Sequence, residues 1–434
     1  MSVSLSNATI AVDSRRQRVV IWLCFFVLTL EGYDIVVFGS TVPALLSYDS
    51  WSLTPERVGF LGSVAVAGMM VGALLSGLVT DSLGRRRVIL VSVAVFSVAA
   101  VGSALAPTVT AFAIARLFVG VGTGCLMPTV VALVIEYSPV GRRNLNTALA
   151  FAGVGVGGAL SGLVALAFVP DGHFRPVYLV GALPALVLLP VLIRALPESM
   201  AFLTARDRLA DAAAGNVAHV HSSSAQVAGR LTSLFRDGYA VPTLIFWVVT
   251  FLNLLVLFGT NTWLPSLMTA AGFNVSSALT FLLVLNLGAV AGAIGASLLA
   301  DRVGPRLVVS GAFCSAAAAF VALSFHPPTA VVYLLVAVAG FGATGTQILV
   351  NAYVGASYPT DRRGTGLGMS LGVGRLGGIL GPTIGGFLVA AELSQRTNFI
   401  AFAVPALVAA VLVIVTAVPI HRDGELAIQV VPEA

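Results

Sequence analysis

The sequence predicts an all-α membrane protein, with twelve transmembrane helices arranged as two six-helix repeats. Three observations lead there. Hydrophobic residues make up 58% of the 434 and charged residues only 9%, whereas a soluble domain carries about 25% charged residues. The apolar residues gather in twelve runs, each close to the ~20 residues that cross a bilayer as a helix. Landmarks in the first half of the chain recur in the second at a separation near 220 residues. Mean hydropathy is +1.00.

In chain order, the first span, 19–46, follows Arg15, Arg16 and Arg18 and closes near Pro43. No small-residue cleavage site interrupts it, so it reads as a retained helix and not a cleaved leader. Spans at 57–80 and 88–107 flank the turn Asp81-Ser82-Leu83-Gly84-Arg85-Arg86-Arg87. Spans 109–137 and 147–168 flank Ser138-Pro139 and Arg142-Arg143, and 176–196 completes the first half. Residues 197–240 are polar, rich in Ala, Ser, Arg and Asp, with His219 and His221. They read as a linker between residues 1–196 and 241–434. The second half follows with 241–270 (Pro265 near its end), 278–300, 307–326, 329–357, 364–391 and 397–420.

The halves match feature by feature. Asp81…Arg86 answers Asp301…Arg306, and Arg142-Arg143 answers Arg362-Arg363, both at a shift of 220. Gly153, Gly155 and Gly158 answer Gly372, Gly374 and Gly377 at 219. A duplicated six-helix unit places a binding site between the halves near the bilayer midplane. The basic residues also sort by side. Arg15/16/18, Arg85–87, Arg142/143, the linker, Arg302/306, Arg362/363 and Arg422 share one face, while the other holds Arg57, Arg175 and Arg396. By the positive-inside rule both termini and the linker are cytoplasmic. The expected setting is a bacterial cytoplasmic membrane and the expected state a monomer.

Composition excludes several chemistries. All 23 basic residues are arginine, which removes a Walker lysine, a Schiff-base lysine and a Ser–Lys dyad. Cys24, Cys125 and Cys314 lie singly in separate spans and form neither a disulfide framework nor a metal cluster. The G-x-G-x-x-G spacings from Gly153 and Gly372 sit inside apolar helices and follow no strand, so they read as packing glycines and not a nucleotide loop. The formal charge of +5 reflects the side bias. No nucleic acid, cofactor, metal or enzymatic chemistry is expected.

Four charges lie inside the spans: Glu31, Asp34, Arg116 and Arg375. Ionisable groups at such depth are costly and mark transport pathways. Glu31 and Asp34, three residues apart, share a helix face. At 1.5 Å per residue, Asp34 lies roughly 22 Å from the start of its span and Arg116 about 10 Å from the opposite surface. The depths match, so Arg116 can pair with Asp34 or Glu31. An acidic group that alternates between this pair and protonation is a proton-coupling device. Arg375 lies about 16 Å deep, and its repeat counterpart is Val156, so duplication does not explain the charge. An anionic substrate suits its planar donors. Pairing with Glu31 or Asp34 across the halves is the competing role. Tyr33, Asn253, Asn261, Trp263, Asn286, Gln347, Asn351 and Tyr353 supply polar or aromatic pocket candidates, while Trp22 and Trp51 read as interfacial anchors.

The turn Gly77-Leu78-Val79-Thr80-Asp81-Ser82-Leu83-Gly84-Arg85-Arg86 resembles the loop signature of the major facilitator superfamily, with Ser82 in place of the usual arginine. Glu31-Gly32-Tyr33-Asp34 resembles the D-G-[YF]-D motif of the aromatic acid:proton symporter family within it, with Glu31 for the first aspartate. Met127-Pro128, Glu136-Tyr137-Ser138-Pro139, Asn253–Leu257, Trp263-Leu264-Pro265 and Gly372-Val373-Gly374-Arg375 extend the likeness over nearly the whole chain. The resemblance implies a symporter importing benzoate-, hydroxybenzoate- or gentisate-type acids with protons. It ties proton-coupled uptake to the acidic residues Glu31 and Asp34, to which the matching depth adds Arg116 as partner. Substrate binding falls to Arg375, with Tyr33, Asn253, Trp263, Gln347 and Asn351. Gly77, Asp81, Gly84, Arg85, Arg86, Glu136, Asp301 and Arg302 then form a gate latch that breaks when the cytoplasmic side opens. A proton-driven exporter of drugs or metabolites is the alternative in the same architecture.

Overall fold

The computed structural model describes residues 14–139, 142–200, 202–204, 206 and 232–416. Twelve helices long and apolar enough to cross a membrane stand among these residues. They are α1 (Ser14–Leu46), α2 (Pro55–Leu83), α3 (Arg85–Leu105), α4 (Val109–Tyr137) and α5 (Arg143–Phe168). The sixth, α6, runs as Arg175–Ala182 and Pro184–Ala195. The second half has α7 (Ala240–Ala270), α8 (Val275–Val303), α9 (Pro305–Leu323), α10 (Thr329–Gly340, a π-turn at Phe341–Gly345, then Thr346–Ser357), α11 (Thr360–Ala390) and α12 (Gln395–Val415).

Several helices run a turn past the predicted apolar limits at the arginine-rich end. The reason is local: once past the hydrocarbon, backbone hydrogen bonding continues through Arg85–Arg87 or Thr360–Arg363 without needing apolar side chains. The ninth span ends at Leu323 and not at 326, ahead of His326, Pro327 and Pro328. The turns after α2 and α8 repeat each other. Gly84 and Gly304 hold φ of 85° and 89°, the left-handed region that a Cβ disfavours.

Helix pairing follows the duplication. Within the first half α1 packs on α5, α2 on α4 and α3 on α6, and the second half repeats this as α7 on α11, α8 on α10 and α9 on α12. Between the halves α2 meets α11, α5 meets α8, and α1 crosses α7. The first two are the same contact seen from either half, so the crossing of α1 and α7 lies on the pseudo-two-fold axis. Small residues let these backbones approach. A Cβ on Gly39 would collide with the Asn261 carbonyl of α7, and one on Gly59 would press on α11 at Pro382 and Gly386. Ser63 also bonds the Ile379 carbonyl and the Thr383 hydroxyl, the latter at 2.6 Å.

These seals occupy the end opposite the arginines. Toward the arginine-rich end a Cβ on Gly77, Gly295, Gly355, Gly364, Gly368 or Gly372 would meet nothing within 4 Å. The close glycine contacts between α1 and α7 and between α2 and α11 therefore lie at one end, while these glycines toward the other have open space beside them. Trp51 departs from the expected interfacial anchor. It is buried against Tyr48, Phe112 and Phe174, with the Arg175 guanidinium 5.7 Å from its ring. Trp22 is 58% exposed, as an anchor would be.

Candidate substrate and proton site

The site grows from the middle of α1. Gly32 seats that stretch against the Val154 backbone of α5, so Glu31 and Asp34 are held in the interior. Asp34 Oδ1 accepts from Arg116 Nη1 of α4 at 2.7 Å, with both side chains nearly shielded from solvent. The guanidinium also lies 5.6 Å from the Phe38 ring and 5.8 Å from the Tyr178 ring, where each ring face offers further attraction. Tyr178 had no signal in the sequence. Its hydroxyl sits 3.0 Å from Thr41 and its ring walls the ion pair.

Glu31 is fully buried, and neither carboxylate oxygen has a hydrogen-bond donor. Two charges act on it: Arg375 of the opposite half and Asp34 on its own helix. Arg375 feels Glu31 in return. It is only partly buried, and Nη1 points to Met69 Sδ of α2 at 3.8 Å. Arg116 and Asp34 thus form an ion pair, whereas Arg375 and Glu31 attract each other across the halves with neither an ion pair nor a hydrogen bond between them.

The second half contributes amides. Asn253 of α7 donates to Gln347 Oε1 at 2.6 Å, and Gln347 donates to Asn351 Oδ1 at 2.7 Å. Beside this relay, Asn286 of α8 donates to Asn261 Oδ1 at 3.3 Å, and Asn261 donates to Thr344 Oγ1 at 3.2 Å. Thr344 reaches that position because α10 widens into the π-turn Phe341–Gly345, closed by Thr346 Oγ1 on the Phe341 carbonyl at 3.1 Å. Such turns often mark functional stretches of a helix. Its sequence, Phe-Gly-Ala-Thr-Gly, carries no periodic signal that would reveal it.

Two pocket candidates point elsewhere. The Tyr33 hydroxyl donates to the Val177 carbonyl at 2.7 Å and its ring lies on Gly181, so it ties α1 to α6 inside the first half. Trp263 is fully buried and donates to the Pro382 carbonyl at 2.7 Å, joining α7 to α11. Both residues lock helices together. Tyr353 is buried edge-on against Phe246.

The latch also differs from expectation. Arg85 pairs with Glu136 and donates to Ser199 Oγ at 3.0 Å. Glu198 accepts from the Arg86 amide at 3.0 Å and fills the space beside Gly84, while Tyr137 donates to the Glu198 carbonyl at 2.8 Å. Arg86 also reaches the Ile193 carbonyl. Among the described residues, these contacts all lie between first-half helices and the Glu198–Ser199 segment that follows them. They form a brace within one half. Glu198 and Ser199, assigned to the linker, are part of it. Gly77 faces open space and mediates no close helix contact. Arg302 is exposed at the end of α8. The second half has a different brace at this end, with Arg362 2.6 Å from Asp237 and 2.9 Å from the Ser233 carbonyl. The side chains of Asp81 and Asp301 lie outside the described residues.

Two like halves closing around buried charges at mid-membrane define an integral membrane transporter, and this chain belongs to the major facilitator superfamily, whose family model matches residues 24–371 and 287–427. It is 34% identical to the benzoate transport protein of Acinetobacter baylyi, over 91% of this chain and 88% of that one. The gentisate transporter of Corynebacterium glutamicum is also 34% identical, over 92% and 87%. A 4-hydroxybenzoate transporter of Pseudomonas putida is 31% identical over 95% of each. Among solved structures, a D-xylose-proton symporter superposes with a TM-score of 0.74 at 18% identity, over 91% of this chain and 97% of that one. At that identity the likeness is one of fold.

Proposed function

We propose that this protein is a proton-coupled symporter that carries an aromatic carboxylate into the cell by alternating access. The arginine-rich end and both termini are cytoplasmic in this reading, and the tight seals between the halves at Gly39, Gly59 and Ser63 lie toward the outside. The observation that carries it is Glu31, buried without a hydrogen-bond donor and under the influence of two charges, Asp34 on its own helix and Arg375 of the other half. A substrate carboxylate arriving at Arg375 competes with Glu31 for the one guanidinium. The displaced acid, buried and without a partner, then favours taking up a proton. Substrate and proton thus enter together because each makes room for the other.

The remaining groups follow from that exchange. Asp34 relays the proton and Arg116 holds it as a carboxylate between turnovers. Gln347 and Asn351 face the substrate ring from α10. Loading removes the attraction between Glu31 and Arg375, which spans the halves, so the halves are free to rock about the crossing of α1 and α7. The names of the relatives, which include benzoate, gentisate and 4-hydroxybenzoate transporters, support an aromatic acid as cargo.

Uptake of labelled benzoate and hydroxybenzoates into proteoliposomes, with and without an inward proton gradient, tests the reading. Gradient-driven accumulation in wild type that disappears in Arg375→Ala is expected. Absence of accumulation for every aromatic acid, with gradient-driven extrusion of uncharged or cationic compounds, would sink it.

A further inference from the structure

An open groove of about 430 Å³ lies at the arginine-rich end of the first half, between the start of α1 and the end of α6. Arg15, Arg18, Trp22 and Phe26 line it from α1, where spacings of three and four put them on one face. Val191 and Ala195, four apart on α6, form the facing wall. The other two lining residues, Val19 and Leu23, are apolar. At 1.5 Å per residue the groove runs about 16 Å from Arg15 to Phe26. It is basic at its mouth and apolar below.

The surroundings of this groove are lipid. Trp22 and Phe26 are exposed, and on α6 Leu183 and Val187 carry the exposed apolar stripe of Val191 two turns further. The gap between the halves, by contrast, is furnished with charges and amides. Arg194, next to Ala195 in the last turn of α6, is exposed and adds a guanidinium at this end. Duplication does not account for the set. At the shift of 222 that relates Pro43 to Pro265, Arg15, Arg18, Trp22 and Phe26 answer Asp237, Ala240, Leu244 and Val248. The second half thus puts an acid where the first has Arg15, and Asp237 is engaged by Arg362. A basic mouth over an aromatic and aliphatic channel belongs to the first half alone.

We propose that this groove binds an anionic phospholipid of the leaflet that the arginine-rich end faces. The phosphate sits at Arg15 and Arg18, and one acyl chain lies along Trp22, Phe26 and Val191. Charge selects the class. A guanidinium fork meets phosphate oxygens with paired donors, and basic pockets between transmembrane helices hold anionic headgroups. Each guanidinium carries several N–H donors, so a phosphate adds to contacts made within the protein. A zwitterionic headgroup brings an ammonium to the same arginines and is held less tightly. Trp22 lies one turn below Arg18, at the junction of headgroups and chains where amphipathic rings collect. The bond from Tyr33 to the Val177 carbonyl ties α1 to α6 toward the other end of these helices. The lipid ties them here.

The test is native mass spectrometry of the full-length protein, delipidated in detergent and titrated with phosphatidylglycerol, phosphatidylethanolamine or phosphatidylcholine of matched chains. Wild type is expected to retain a first phosphatidylglycerol at a concentration at least tenfold below that needed for either zwitterionic lipid. The double variant Arg15→Gln/Arg18→Gln should lose that preference at least fivefold, and Arg15→Lys/Arg18→Lys should recover part of it. Arg236→Gln/Arg363→Gln removes the same charge from exposed positions at this end of the second half and should leave the preference unchanged. Phosphatidylglycerol brominated in its chains reports the place: it should quench Trp22 emission, and Trp22→Phe should lose that quenching. Equal losses in the two glutamine variants would show a diffuse attraction to the basic face and overturn the proposal. So would a wild type without preference, or quenching that persists in Trp22→Phe. Displacement of the lipid by an equal concentration of glycerol 3-phosphate would show a site for free phosphate, and the lipid assignment would fail. None of these outcomes bears on the transport proposed above.

Discussion

The two halves of this molecule share one scaffold and furnish it differently. At mid-membrane the first half holds charges: Glu31, Asp34 and Arg116, with Arg116 clamped on Asp34 at 2.7 Å. The second half holds amides on α7, α8 and α10 and a single charge, Arg375, where the repeat places Val156 in the first half. Pairing of helices survived duplication, as the matching contacts of α2 with α11 and α5 with α8 show. The side chains facing the gap did not. This division suits a machine in which one half handles the proton, a small charge needing carboxylates, and the other recognises a larger solute by shape and hydrogen bonds.

The strongest way to break that comparison is Asp34→Asn. Asparagine keeps the size and a carbonyl for Arg116, but it cannot carry a transferable proton. Under the proposed cycle, proton-driven accumulation should fall to background in proteoliposomes, while exchange of labelled for unlabelled substrate persists. Retained accumulation would remove Asp34 from the coupling. Arg116→Ala is the cruder counterpart. Stranding one member of a buried pair costs about 3–5 kcal/mol, so that variant should lose stability before it reports on mechanism.

A second prediction concerns the axis between the halves. Gly39 of α1 lies against the Asn261 carbonyl, and a larger side chain cannot enter without separating α1 from α7. Gly39→Val should shift the population away from the state seen here, opening the end opposite the arginines. Spin labels at Ser47 and Ala271, on a background lacking Cys24, Cys125 and Cys314, would report a longer distance. An unchanged distance distribution would mean that the contact does not set the balance.

The brace Arg85–Glu136 predicts a smaller effect. Its side chains are 23% and 19% exposed, and pairs in contact with water contribute about 1 kcal/mol or less. Glu136→Gln should lower the melting temperature of the detergent-solubilised protein by a few degrees at most. Substrate-driven opening should be preserved, because the pair is made within one half. A transporter arrested in one state by this change would restore the role of a latch.

The sequence carried some of this and not the rest, for identifiable reasons. Spans and repeat were legible because hydrophobic length and recurring turns are local properties. Asp34 with Arg116 was legible because a fixed rise per residue turns sequence position into depth. Rotation about a helix axis is not so readable. Tyr33 and Trp263 lie on spans that line the site, yet packing turns one toward α6 and the other toward α11. Glu198 and Ser199 escaped notice because they follow a span in a polar segment, where nothing periodic separates a structural carboxylate from a solvated one. The π-turn of α10 depends on tertiary packing and has no local signature.

The last prediction is an expected absence of effect. Glu31, Asp34, Arg116 and Arg375 sum to zero charge when all are ionised. A monocarboxylate adds one negative charge, and the proton that replaces Arg375 at Glu31 cancels it. The empty and loaded carriers are then both neutral, and a membrane potential acts on neither. A second proton would leave the loaded form at +1, worth about 2.3 kcal/mol per 100 mV, roughly fiftyfold in accumulation. Proteoliposomes given an interior-negative potassium diffusion potential and no pH difference distinguish the cases. Uptake should match that of vesicles with no potential, while a pH difference of equal driving force accumulates substrate. Accumulation under potential alone would mean that more than one proton accompanies each anion. The exchange of a single carboxylate for another at Arg375 would then be too simple an account of how the first half is coupled to the second.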